Sequence, residues 1–188
     1  AVNNLSKVNL DKLLYQYPKD VFLAMNNCPG QQVLFTKLDS RKSVIEFIKK
    51  KYGLVYDFTT DHPYHTKAFE ESLDYLKPIY NQFEIRKGNI PVYSCVNATF
   101  FPDDDKGIRD LALRQWVEPV DFQKTIKTAY KEGARTFIEV GPNNRLSGFV
   151  ADSLNGKNFL LVNCSKENIS ALDMLIEMCA KLWVNNNT

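Results

Sequence analysis

Two short apolar runs, Asp20–Met25 and Gln31–Thr36, flank the stretch Asn26-Asn27-Cys28-Pro29-Gly30. Asn, Pro and Gly supply the backbone dihedrals of a tight reversal, so the two runs are expected to be the strands of one hairpin. No other feature restricts the fold so strongly. Helical patterns bracket the hairpin. Leu10, Leu13 and Leu14 repeat at helical spacing over Asn9–Tyr17, and Pro18 stops that helix. Asp39 or Ser40 is placed to cap a second helix running to about Tyr52. Its inner side carries Val44, Ile45, Phe47 and Ile48, and Gly53 is suited to end it. Leu54–Phe58 reads as a third strand. Helix, strand, strand, helix, strand is one strand short of a ferredoxin-like βαββαβ unit. The piece expected to be missing is the first strand, which would place residue 1 inside a longer unit.

The rest of the chain has another rhythm. Ile90–Val96, Thr136–Val140 and Phe159–Val162 are short apolar runs separated by helical patterns. Thr66 is placed to cap a helix carrying Phe69, Leu73 and Leu76 ahead of Pro78. Further helices are expected over Ile108–Val117, from Pro119 to Gly133, and from about Arg145 after the turn Gly141-Pro142-Asn143-Asn144. The last, Ile169–Trp183, is expected to turn Leu172, Ile176, Cys179 and Trp183 inward. Such alternation argues for a covered parallel sheet, although three strands are few for an independent one. The fold class is therefore α/β. An incomplete ferredoxin-like subdomain is expected over residues 1–59, and a parallel-sheet subdomain over residues 60–188.

Composition removes several functions. With 24 Lys+Arg against 22 Asp+Glu the charge is nearly balanced, which gives no footprint for nucleic acid. No run approaches the roughly 18 apolar residues of a membrane span, and AVNNLSKVNL does not read as a signal peptide. A cytoplasmic location is expected. Cys28, Cys95, Cys164 and Cys179 are widely spaced, and His62-x-x-His65 has no matching second pair, so no metal site is expected. The four thiols are expected to be reduced and mostly buried. Asp103-Asp104-Asp105 is expected to be solvated.

Chemistry points to the segment Asp61-His62-Pro63-Tyr64-His65-Thr66, which holds both histidines of the chain. If a helix begins at Thr66, its positive end disfavours the imidazolium of His65. A neutral imidazole can act as a base toward a hydroxyl or thiol; closing a loop is the other role open to it. No glycine is followed two residues on by serine, so the 188 residues carry no Gly-x-Ser-x-Gly elbow. Ser147 falls inside a helical pattern and reads as a packing residue. The residues alone offer a candidate base without a nucleophile.

Six stretches, in order, resemble the acyltransferase domain of polyketide and fatty acid synthases, the malonyl-CoA:acyl carrier protein transacylase family. Asn27-Cys-Pro-Gly-Gln-Gln-Val33 is similar to the family's Asn-Ser-Pro-Gly-Gln-Val, and His62-Pro-Tyr-His65 to its His-Ala-Phe-His box. Ile90-Pro-Val-Tyr-Ser94, Ile108–Gln115, Glu118-Pro-Val-Asp-Phe122 and Phe137-Ile-Glu-Val-Gly-Pro142 with Leu146-Ser-Gly148 follow. The resemblance is to the C-terminal portion of the family. It implies that residues 60–188 are the C-terminal part of an α/β-hydrolase-like parallel-sheet subdomain.

The resemblance implies roles. His65 is the general base, and Gln115 orients it through its main-chain carbonyl. Tyr64 and His62 bind substrate, and His62 and Tyr64 lean toward malonyl. No cofactor is implied; a coenzyme A thioester is the substrate, and the receiving thiol is the phosphopantetheine arm of an acyl carrier protein. The family's serine, its oxyanion glutamine segment and its carboxylate-gripping arginine have no counterpart here, so the isolated chain is expected to be inactive. Val33-Leu-Phe-Thr36 also departs from the family's Val-Ser-Gly. Partners implied are the carrier protein and the N-terminal part of the acyltransferase or the rest of a multidomain synthase. Two alternatives stay open. One is a non-catalytic carrier-docking module using Arg41, Lys42 and Lys49-Lys50-Lys51. The other is a separately encoded half that pairs with an N-terminal partner.

Overall fold

The computed structural model describes residues 1–52, 54–58, 62–86, 88–141, 144–164 and 169–186. Two compact units, Ala1–Thr125 and Ile126–Thr188, make up the chain. The first opens with β1 (Val2–Asn3) and α1 (Lys7–Gln16), whose N-terminus is capped by the Ser6 hydroxyl accepting from the Asn9 amide. Then come β2 (Val21–Cys28), β3 (Gln31–Thr36) and α2 (Leu38–Lys51). The expected missing first strand is therefore a correction: β1 is present and pairs antiparallel with β3, Val2 opposite Gln32. Its two residues are too few to show a strand periodicity, which is why the order looked one element short.

β2 and β3 form the hairpin, with only Pro29 and Gly30 between paired Cys28 and Gln31. The expected five-residue reversal is shorter because Asn26 and Asn27 stay extended. Asn26 Nδ2 donates to Asp121 Oδ1 and Gln123 Oε1, and Asn27 Nδ2 to Gln31 Oε1. Buried Gln32 braces the turn by donating from Nε2 to the carbonyls of Cys28 and Pro29. The third strand, expected over Leu54–Phe58, contracts to one antiparallel bridge, Val2 to Val55. Across the sheet the order is therefore Val55, β1, β3, β2. Val2, Leu5, Leu13, Val21, Val44 and Ile48 form the buried cluster beneath it. Gly53, expected to end α2, lies outside the described residues.

A six-residue 3₁₀ turn (Lys67–Ser72) leads into α3 (Leu73–Tyr80), which contains Pro78 instead of ending before it. The strand expected over Ile90–Val96 is reduced to β4 (Tyr93–Ser94), paired antiparallel with β5 (Thr99–Phe100). α4 (Asp105–Arg114) begins at the acidic run because Asp104 caps it, accepting from the Gly107 amide at 2.8 Å. β6 (Val120–Asp121) joins the first sheet beside β2, in parallel. α5 (Phe122–Lys131) carries the chain onward, and Gly133 supplies the left-handed backbone that ends it.

In the second unit, β7 (Thr136–Glu139) pairs in parallel with β8 (Leu160–Asn163), around α6 (Arg145–Ser153). Of the expected three-stranded parallel sheet, these two strands form. Pro142 and Asn143 of the expected turn lie outside the described residues. α7 (Ala171–Asn186) differs from expectation: it buries Met174, while Leu172, Ile176 and Trp183 are exposed. Its apolar residues occupy more than one face, so periodicity alone could not choose between them. Among the described residues no helix is long and apolar enough to cross a membrane.

Glu139 ties β7 to α6. Its carboxylate accepts from the amides of Leu146 and Ser147 at 3.0 and 2.7 Å, the charge a helix N-terminus favours. Burial opposes ionisation, yet the bonds from Ser147, Leu146 and Arg145 hold the carboxyl below its ordinary range. A depressed folded value stabilises above the unfolded carboxylate range, near about 4, and that contribution fades as pH falls through the folded value. Glu139→Gln should therefore lose stability to wild type near neutral pH, with the gap in urea midpoint closing in acid.

Candidate active site

His65 is held from two directions. Its backbone is left-handed, with φ of 61°, a conformation that costs a non-glycine residue on the order of 1–3 kcal/mol unless its surroundings impose it. The His65 amide donates to the Trp116 carbonyl at 2.9 Å. The ring nitrogen Nδ1 lies 2.5 Å from the Gln115 carbonyl oxygen. A carbonyl only accepts, so Nδ1 carries a proton, and in the neutral ring Nε2 then keeps the lone pair. That is the tautomer a general base toward a hydroxyl or thiol needs. Both acceptors lie just past the last residue of α4, where helix carbonyls lack partners along the helix. His65 therefore meets the negative end of α4 as well as the start of the 3₁₀ turn. The expected influence of a helix N-terminus is only half of its surroundings.

Thr66 occupies the N-cap position, but its side chain makes no bond to the turn that follows. Instead the buried hydroxyl donates to the Pro63 carbonyl at 2.6 Å, closing the loop that carries both histidines. Asp61 and Thr60 lie outside the described residues.

The structure brings His62 and Tyr64 together with residues that spacing did not single out. His62 and Tyr64 meet at 5.5 Å between ring centroids, and both pack on buried Phe69. Trp116 stacks on Phe69 at 5.8 Å and touches Tyr64 at 5.7 Å. A cavity of about 590 Å³ in this unit is lined by His62, Pro63 and Tyr64 together with residues of β2, β3 and α2. Arg41 also lines it, and its guanidinium donates to Asp57 Oδ1 from Nη2 at 2.8 Å and from Nε at 3.2 Å. Trp116 was readable in principle, because it directly follows Gln115 and is one of only two tryptophans. Arg41, one of the basic residues of the alternative carrier-docking face, pairs with Asp57.

Other candidates are less suited to chemistry. Burial pushes the Cys95 thiol up, away from thiolate. Of the four free cysteines only Cys28 is buried, fewer than expected, and Cys179 is exposed. Ser147 is buried in α6 and hydrogen-bonds Asn163. Among the described residues no group of three His, Cys, Asp or Glu side chains is arranged to hold a metal ion.

The mixed-sheet fold is shared with acyltransferase domains of known structure. No family model matches the chain. The malonyl CoA-acyl carrier protein transacylase of Bacillus subtilis (strain 168) is 30% identical over 131 residues, covering 69% of this chain and 41% of the relative. The crystal structure of malonyl CoA-acyl carrier protein transacylase from Clostridium perfringens matches 100% of this chain and 58% of its own, with a TM-score of 0.84 and 28% identity. A malonyl-transacylase in complex with a type II PKS acyl-carrier protein shares the fold over 94% of this chain and 56% of its own, with a TM-score of 0.80 and 19% identity. The chain belongs to the malonyl-CoA:acyl carrier protein transacylase family and spans about two fifths of the length of the Bacillus relative.

The Thr66 bond gives a test of how the histidine loop is held. Thr66→Val leaves the Pro63 carbonyl without its donor at a partly buried position and should cost about 1 kcal/mol. Thr66→Ser should retain most of that stability, as read by chemical denaturation.

Proposed function

We propose that this chain is the base-bearing part of an acyltransferase that moves a malonyl-type acyl group from coenzyme A to an acyl carrier protein. The route is an acyl-serine intermediate. His65 Nε2 takes the proton of a serine hydroxyl as the oxygen attacks the thioester carbonyl, and returns it to the departing coenzyme A sulfur. The thiol of the carrier's phosphopantetheine arm then attacks the acyl-serine with the same proton movements reversed. The observation that carries this reading is the bond from Nδ1–H of His65 to the Gln115 carbonyl, which holds the ring in the basic tautomer. Gln115 is its orienting residue, and His62 and Tyr64 shape the acyl site where they line the cavity. No cofactor takes part beyond the coenzyme A thioester and the carrier arm. Carrier protein as partner is supported by the complex in which a transacylase of this fold was solved. Residues 1–59 are read as the ferredoxin-like small subdomain, supported by the antiparallel order Val55, β1, β3, β2. Residues 60–188 are read as the C-terminal part of the catalytic subdomain. The setting is fatty acid or polyketide synthesis, in the cytoplasm.

The serine belongs, in this reading, to a segment outside these 188 residues. That segment is either another part of the same polypeptide or a separate N-terminal partner. Pairing with such a segment is favoured by the exposed apolar residues Leu172, Leu175, Ile176, Trp183 and Val184 on α7, and by the two-stranded parallel sheet, an arrangement that ordinarily lies inside a larger one.

Incubated with malonyl-CoA, the isolated chain should show no stable adduct by intact-protein mass spectrometry. Co-expression with a segment carrying Gly-His-Ser-x-Gly should restore malonylation and transfer to carrier protein. His65→Gln in that pair should lower transfer by about 10²–10⁴-fold. A stable malonyl adduct on the isolated chain would place the nucleophile within these residues and sink the proposal.

A further inference from the structure

The turn that holds His65 is itself held by a residue that the proposed chemistry does not use. The amides of Gln115, Trp116, Val117 and Glu118 all bond back into α4, to the carbonyls of Leu111, Leu113 and Arg114. Those bonds fix the turn from behind. Its exposed carbonyls, from Gln115 and Trp116, are the ones His65 uses. What fixes the front of the turn is the indole of Trp116. Its Nε1–H donates to the Tyr80 hydroxyl at 2.9 Å, while its ring lies against Phe69 and Tyr64. An indole N–H is a donor only, so a half-buried tryptophan needs such an acceptor to settle in one orientation.

Tyr80 is well placed for this because of where it lies in the chain. It is the last residue of α3, which continues the 3₁₀ turn that starts two residues after His65. The path from His65 through that turn and α3 to Tyr80, across to Trp116 and back to His65 is therefore a closed ring of contacts. Arg109 of α4 tightens it by donating to the Tyr80 and Phe83 carbonyls, and Asp105 holds the guanidinium at 2.7 Å. Arg114 and Glu118 clamp the base of the turn at 2.6 Å. A histidine at positive φ stays there only if its surroundings determine it, and this ring supplies the determination.

We infer that Tyr80 is a positioning residue for His65, acting through the indole of Trp116 to hold the Gln115 and Trp116 carbonyls against the histidine ring and backbone. Its relevance to catalysis rests on the reading of His65 as the base. The alternative is that Tyr80 and Trp116 only fill space.

The test uses the 188-residue chain with ¹⁵N-labelled histidine, the two rings being distinguished with His62→Gln. In wild type the His65 ring should show one tautomer and a slowly exchanging Nδ1–H. Tyr80→Phe keeps the aromatic ring and removes the acceptor. It should speed that exchange about fivefold or more, the share of a typical hydrogen bond, and drive the Nε2 shift toward a tautomeric mixture. Trp116→Phe should do the same, and the double variant no more than either alone, because the two act as one unit. Tyr75→Phe removes a hydroxyl from an exposed position of the same helix and should change nothing. An unchanged His65 ring in Tyr80→Phe and Trp116→Phe, whatever happens to the melting temperature, would overturn the inference; so would an equal change in Tyr75→Phe. The two failures separate. If His65 is not the base, His65→Gln keeps transfer in the co-expressed pair while Tyr80→Phe still moves the ring signals. If the positioning is wrong, transfer is lost with His65→Gln and the ring signals of Tyr80→Phe stay where they were.

Discussion

Everything at the histidine loop depends on the unfinished carbonyls at the end of α4. A helix leaves its last carbonyls without partners inside itself, and something must satisfy them. Here the acceptors are the next two carbonyls along, and one residue, His65, takes both with its amide and its ring. His65 makes both bonds from a left-handed backbone. Thr66 follows from the same demand. With the chain turned sharply at His65, its hydroxyl reaches back to Pro63 and not forward to the 3₁₀ turn.

Satisfaction of polar groups also explains the hairpin. Asn26 and Asn27 are turn formers because their side chains compete for backbone bonds. In β2 those side chains are occupied elsewhere, by Asp121, Gln123 and Gln31, and the backbone is free to join the ladder. The strand thereby reaches Cys28 and gains β6 as a parallel neighbour at Met25 and Asn26. Three side-chain bonds accompany a longer strand and a wider sheet. The register shifts on either side of this segment show where the ladder accommodates it.

These cases mark what could be read in advance. The hairpin, α1, α2, α6 and the parallel pairing of β7 with β8 follow from periodicity and turn residues, which are local signals. β1 and the contracted strand at Val55 were not legible, because two residues and one bridge carry no period. The inner face of α7 was misjudged because apolar residues lie on more than one side of it, and burial of Met174 over Ile176 depends on neighbours distant in sequence. At the site, the residue types around His65 suggested a base. The carbonyl that orients it belongs to the backbone, where side-chain identity leaves no trace; Gln115 entered only through resemblance to a family. Trp116 and Tyr80 lie 36 residues apart, so their bond could not be seen before the fold.

In the proposed role His65 is a base that must also act as an acid, and its position between two backbone termini bears on that. The Gln115 carbonyl lies on Nδ1, and the short 3₁₀ turn begins just beyond the His65 backbone. The carbonyl fixes the tautomer in the neutral state and meets the positive charge in the protonated one, so the same bond serves both halves of a proton cycle. An aspartate in that place would bring a full negative charge and its own desolvation cost. The main-chain oxygen brings a partial charge on a rigid support, and its direction is set by how firmly the Gln115–Trp116 turn is fixed. In that proposed role the precision of His65 is a property of the aromatic and backbone contacts behind it as much as of the histidine.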